Sequence, residues 1–86
     1  MAESETENLQ QCTQRFIELA NTIKDEGVEP GIISHALMSA SGIYATYAVA
    51  GNAGGLNQSG VDKIVALYQD SLEDIQRTKK EQQRKQ

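Results

Sequence analysis

Apolar residues recur at helical spacing in three stretches of the chain, and the first stretch lies near the N-terminus. Its apolar stripe advances in steps of 3, 4, 3 and 4 residues and consists of Leu9, Cys12, Phe16, Leu19 and Ile23. This spacing places all five side chains on one face of an α-helix. Ser4 and Glu7 have the spacing of a capping box. Gly27 suits the left-handed conformation that follows a last helical turn, with Val28 as the accompanying apolar residue. We predict a helix over residues 4–26.

The second stretch, residues 30–50, contains no Asp, Glu, Lys or Arg. Its main apolar stripe is Ile33, Ala36, Ala40, Ile43, Tyr47 and Ala50, and further apolar residues occupy other sides of the same helix. A helix that is apolar on most sides is typical of one buried on more than one face. Pro30 suits its first turn. Gly42 costs about 1 kcal/mol relative to alanine inside a helix, so we expect a close approach to its backbone.

The third stretch follows a glycine-rich connection, GNAGGLNQSG, which ends at Gly60. Ser59 and Asp62 are the expected capping residues of a helix over residues 60–80. Its apolar face consists of Val61, Ile64, Val65, Tyr68, Leu72 and Ile75. No apolar residue follows Ile75, so we expect residues 77–86 to form a basic polar tail, either a frayed helix or disordered.

These patterns predict an all-α fold, either a three-helix bundle or a helical hairpin with a third helix. We expect residues 1–76 to form a single helical domain. A chain of 86 residues gains little stability from its own core, and its single cysteine excludes an internal disulfide. Oligomerisation is a common way to reinforce a domain of this size.

Charge is distributed unevenly along the chain. The net charge is −4, but the tail RTKKEQQRKQ carries five basic residues and one acidic residue, which leaves −8 on the rest. The tail could contact phosphates. The acidic body, however, would repel nucleic acid at long range. A nucleic-acid accessory role using the tail is therefore a second alternative only.

The residues do not assemble a site for catalysis, metal binding or a cofactor. His35 is the only histidine, and Cys12 lies on an apolar stripe where a thiol behaves as a small hydrophobe. The segment from Gly55 to Gly60 has the glycine spacing of a P-loop, but Val61 and Asp62 stand where Lys and Ser or Thr are needed. We expect no enzyme activity and no bound metal or cofactor.

The uncharged segment from Pro30 to Val61 is long enough to cross a membrane. About half of its helical part is small or polar, and basic flanking residues are missing, so we expect no membrane span. The first ten residues, MAESETENLQ, lack the basic and apolar regions of a secretory segment. We therefore expect a cytoplasmic protein.

Three segments resemble a family of small proteobacterial proteins that forms a domain of unknown function. They are FIELAN at 16–21, HALMSASGIYATYA at 35–48 and VALYQDSLEDI at 65–75. The resemblance implies a bacterial, cytoplasmic helical protein. Because the family has no assigned activity, the resemblance transfers no functional residue to this chain.

Our functional hypothesis is a non-catalytic interaction protein that self-associates, as a homodimer, through the second helix, or binds another protein there. The possible interface consists of Ala36, Ala40, Gly42, Ile43, Tyr44, Tyr47 and Ala50. The first alternative is a module that binds a small apolar ligand between its helices.

Overall fold

A computed structural model describes residues 3–51 and 54–84 of the chain. These residues contain three α-helices and no strand: α1 (Glu3–Asp25), α2 (Pro30–Ala50) and α3 (Gln58–Arg84). The predicted all-α class with three helices is thus confirmed. Residues 77–84 of the predicted tail belong to α3, whereas its last two residues lie outside the described part. Ser4 lies inside the first turn of α1, which already begins at Glu3.

The end of α1 is fixed by a glycine in the left-handed region. Gly27 has a φ of 105°, and its N–H donates to the carbonyl of Lys24 at 2.9 Å. The N–H of Val28 donates to the carbonyl of Ile23 at 3.4 Å. These two bonds are those of a Schellman motif, and Ile23 and Val28 are both half-buried, as its apolar contact requires. The termination of α1 at Gly27 follows from this local chemistry.

Both ends of α2 also have local causes. Pro30 is its first residue, where the missing N–H costs nothing, and the carbonyl of Glu29 accepts from Ile32 and Ile33 at 3.0 and 3.1 Å. At the other end Gly51 has a φ of 75°, and its N–H donates to the carbonyl of Tyr47 at 2.8 Å. A left-handed glycine with this bond closes the helix.

The N-terminus of α3 is capped by Asn57 and not by Ser59 or Asp62, so that expectation was wrong. The Asn57 side-chain oxygen accepts from the N–H of Gly60 at 2.9 Å and from the Ser59 hydroxyl at 3.0 Å. Asp62 instead accepts from the side chain of Gln58 at 2.8 Å. Because Asn57 is the cap, α3 begins at Gln58, two residues before the predicted start at residue 60.

Contacts along the chain divide it into two units, one ending at Ser41 and one beginning at Gly42. In the first unit, Ile33 of α2 is the one buried residue of the described chain, at 8% exposure. In the second unit the least exposed positions surround the connection and are only half-buried. They are Ala45, Thr46, Ala50, Leu56, Gly60 and Ile64. The core of a single chain is therefore small in both units.

Candidate interaction surface

The exposed apolar side chains of α2 are the most prominent feature of the described surface. All 21 residues of this helix are uncharged, yet Ile33 is its one buried residue. Ile43 is 73% exposed, Tyr44 is 70% exposed and Val49 is 69% exposed. The expectation that α2 is buried on more than one face is therefore wrong for a single chain. An apolar helix that a chain leaves uncovered is typical of an interaction surface.

Four of the predicted interface residues form one continuous side of α2. Ala36, Ala40, Ile43 and Tyr47 follow each other at steps of 4, 3 and 4 residues, and all four are exposed. We refer to these four residues as the Ile43 face. The two alanines leave room for a neighbouring backbone, while the two larger side chains supply apolar area. This combination suits close packing against another helix.

The tyrosines of this helix form a pair beside and within the Ile43 face. The ring centroids of Tyr44 and Tyr47 are 5.8 Å apart, and the ring planes are inclined by 56°. This distance and tilt lie in the range that aromatic pairs prefer. Tyrosine is also enriched at the centres of protein interfaces.

Two of the predicted interface residues differ from this pattern. Ala50 is half-buried within the second unit. Gly42 lies about 100° around the helix axis from Ile43, because an α-helix has 3.6 residues per turn. A Cβ atom added at Gly42 would meet nothing within 4 Å. The close approach expected at Gly42 is therefore not made by the described part of the chain.

The helices α1 and α3 also leave their apolar stripes uncovered. Nine of the ten stripe residues are exposed, and Ile23 is half-buried. Those in α1 are Leu9, Cys12, Phe16, Leu19 and Ile23, and those in α3 are Val61, Val65, Tyr68, Leu72 and Ile75. We refer to them as the α1 stripe and the α3 stripe. Sequence periodicity identified both stripes. It also placed Ile64 on the apolar face of α3, and Ile64 is half-buried.

The cleft between α1 and the first half of α2 is the candidate site for a small ligand. It has a volume of about 180 Å³, and its wall includes Ala20 and Lys24 from α1 and Ile33 and Leu37 from α2. Ligand pockets usually enclose about 300–1,000 Å³ and bury most of the ligand. The cleft is therefore small for an apolar ligand of ordinary size.

The described residues offer little for metal or thiol chemistry. No group of three or more His, Cys, Asp or Glu side chains among them is arranged to hold a metal ion. Cys12 and His35 are both exposed and belong to different helices. Exposure of the Cys12 thiol on an apolar stripe makes it useful as a probe of what covers that stripe.

Comparison with known proteins identifies a family but no activity. Within residues 3–51 and 54–84, no helix is long and apolar enough to cross a membrane. No curated protein and no solved structure matches the chain. One family model, described as protein of unknown function DUF3144, matches residues 9–79, a range that contains all three segments on which the resemblance rests. The chain therefore belongs to the DUF3144 family of proteins of unknown function.

Proposed function

We propose that this protein is a non-catalytic helical interaction protein that self-associates, with the Ile43 face of α2 in the interface. The observation that supports the proposal is the exposure of α2. A helix of 21 uncharged residues buries Ile33 alone. Soluble chains normally cover a helix of this composition on several sides. A second copy of the same chain would supply that cover.

The exposed apolar side chains of α2 are numerous enough to form the centre of an interface. Seven large apolar side chains of this helix are at least 38% exposed: Ile32, Leu37, Met38, Ile43, Tyr44, Tyr47 and Val49. Exposed area alone does not set affinity, because association also costs translational and side-chain entropy. The number of exposed apolar side chains on one helix supports the proposal.

The chemistry of the Ile43 face favours association over solvent exposure. Full burial of an isoleucine side chain contributes about 1.5–3 kcal/mol. Because α2 carries no charged side chain, covering it buries no unpaired charge and avoids that large desolvation penalty. The Thr46 hydroxyl is already satisfied by the carbonyl of Gly42 at 2.8 Å. On the Ile43 face itself the one polar side-chain group is the Tyr47 hydroxyl, which would need a hydrogen-bond partner or water at the edge of the interface.

The test is a pair of matched substitutions, Ile43→Lys and Val49→Lys. Both introduce the same charge on the same helix, at side chains of nearly equal exposure, 73% and 69%. The two positions differ by about 120° around the helix axis. Lysine is a better helix former than isoleucine or valine, so neither change should unfold α2. We expect Ile43→Lys to weaken self-association at least tenfold and Val49→Lys to change it less than threefold.

Light scattering on a sizing column gives the mass of each variant, and circular dichroism at a concentration where the variant is still dimeric checks that its helix content equals that of the wild-type dimer. Equal loss of self-association in both variants would show that no single side of α2 forms the contact. Unchanged self-association with Ile43→Lys would remove the Ile43 face from the interface.

A further inference from the structure

The α1 stripe and the α3 stripe have the same length and mirrored spacing. The α1 stripe runs from residue 9 to residue 23 and the α3 stripe from residue 61 to residue 75, so both span fourteen residue-to-residue steps. At 1.5 Å per residue, each extends about 21 Å along its helix. The steps are 3, 4, 3 and 4 in α1 and 4, 3, 4 and 3 in α3. Read from its C-terminal end, the α3 stripe therefore has the same spacing as the α1 stripe.

Mirrored spacing predicts antiparallel pairing of the two helices. In that alignment Leu9 lies opposite Ile75, Phe16 opposite Tyr68 and Ile23 opposite Val61, so that all ten stripe residues form five layers. Steps of 3 and 4 residues are the repeat by which packed helices keep one seam in contact. A parallel alignment that keeps the same steps pairs only four layers. It also places the charged Lys79 opposite Ile23.

Charge at the ends of the stripes favours the same orientation. The next stripe position before Leu9 is Glu5, and the next position after Ile75 is Lys79. Antiparallel pairing brings these two opposite charges into one layer. Neither side chain has an ion-pair or hydrogen-bond partner among the described residues, whereas Arg77 pairs with Asp74 on its own helix. The acidic first turn of α1 and the basic last turns of α3 are complementary.

We propose that α1 of one copy packs antiparallel against α3 of a second copy, and that two-fold symmetry forms this contact twice in a dimer. The proposal rests on the self-association proposed above and identifies a second surface that it uses. Nine of the ten stripe residues are exposed in the single chain, so a second copy can cover them without rearranging a core. Each contact would bury two aromatic rings, Phe16 and Tyr68, in the central layer, where such a pair contributes beyond its area.

The test uses the single native thiol as one half of a cross-link. Wild-type chains, with Cys12 alone, are mixed with a Cys12→Ser/Leu72→Cys variant. A bifunctional maleimide that spans the about 8–10 Å between packed helix axes is then added. Cys12 and residue 72 share a layer in the proposed alignment, so we expect a cross-linked product containing one chain of each kind. Each chain treated alone is the control for random collision.

The matched control is Cys12→Ser/Val61→Cys, which places the thiol on the same stripe, about 16 Å along α3 from position 72. We expect at least a tenfold lower yield of mixed product with this variant. A second pair repeats the test in the next layer, with Leu9→Cys/Cys12→Ser mixed with Cys12→Ser/Ile75→Cys. The mass of the mixture before cross-linking shows whether Leu72→Cys itself weakens association. If it does, this second pair decides the test.

The outcomes separate this proposal from the proposed function. Preferential cross-linking at position 61, or equal yields at both positions, would overturn antiparallel pairing. A dimer by mass that gives no mixed product in either layer would leave self-association standing and remove the α1–α3 contact. A single-chain mass at every concentration would overturn both proposals. A link between Cys12 and a thiol at position 72 of the same chain, in Leu72→Cys alone, would show that one chain covers its own stripes.

Discussion

At the scale of single residues, two glycines with different backbone conformations predict opposite effects of the same substitution. Gly27 has a φ of 105°, whereas Gly42 lies inside α2, and neither added Cβ would meet an atom within 4 Å. Gly27→Ala should cost about 1–2 kcal/mol of unfolding free energy because of the left-handed backbone. Gly42→Ala should gain about 1 kcal/mol from helix propensity. Urea unfolding at one fixed protein concentration, followed by circular dichroism, measures both.

A loss of stability with Gly42→Ala would contradict this account of the single chain. It would show that something the described chain does not contain approaches the Gly42 backbone, as the sequence alone led us to expect. A gain with Gly27→Ala would contradict the role of the left-handed glycine in ending α1.

Residue-scale features were predictable where the deciding chemistry is local. Gly27 and Pro30 stand at helix boundaries because of their own backbone constraints, and both follow from the sequence. The cap of α3 did not follow, because Asn57, Ser59 and Asp62 are all capping residues by type within six positions. The observed bond from the Gly60 N–H to Asn57 selects among them. Sequence spacing gives no such selection.

At the scale of helices, the α1–α3 contact predicts a charge-reversal cycle. Glu5→Lys places a second positive charge near Lys79 of the partner, and Lys79→Glu places a second negative charge near Glu5. Each change should weaken the dimer by about threefold to tenfold, given that exposed ion pairs contribute about 0.2–1 kcal/mol and that symmetry repeats the contact. The double variant should recover most of the loss. Sedimentation at low and high salt measures this cycle.

Independent, additive losses in the double variant would show that residues 5 and 79 do not meet. Salt is the internal control for charge. The effect of each single variant should shrink at high ionic strength, because exposed charges are screened over about one Debye length. An effect that persists in high salt would arise from something other than charge.

The three helices could be predicted from the sequence, but what buries their apolar sides could not. Steps of 3 and 4 residues show which side of a helix is apolar, and the α1 and α3 stripes lie where those steps predict. The same steps arise whether a stripe faces its own chain or another molecule. Composition therefore favoured a buried α2, whereas in the single chain Ile43 and Tyr44 are among its most exposed side chains. Periodicity does not specify the partner.

At the scale of the whole molecule, the central feature is the number of large apolar side chains that the described residues leave exposed. Seventeen large apolar side chains of the described residues are exposed, and one residue, Ile33, is buried. A domain of 86 residues is already marginal when its core is well formed. Coupling association to folding would supply the missing burial, and stability would then rise with protein concentration. The stability of the folded chain would thus depend on self-association.

The most direct test of self-association is the mass of the unmodified protein in solution. Light scattering on a sizing column should be recorded over a hundredfold range of concentration. Self-association predicts twice the chain mass of 9.4 kDa at the upper concentrations, falling toward the single-chain mass on dilution with loss of helix content. A single-chain mass throughout, with full helix content, would contradict self-association.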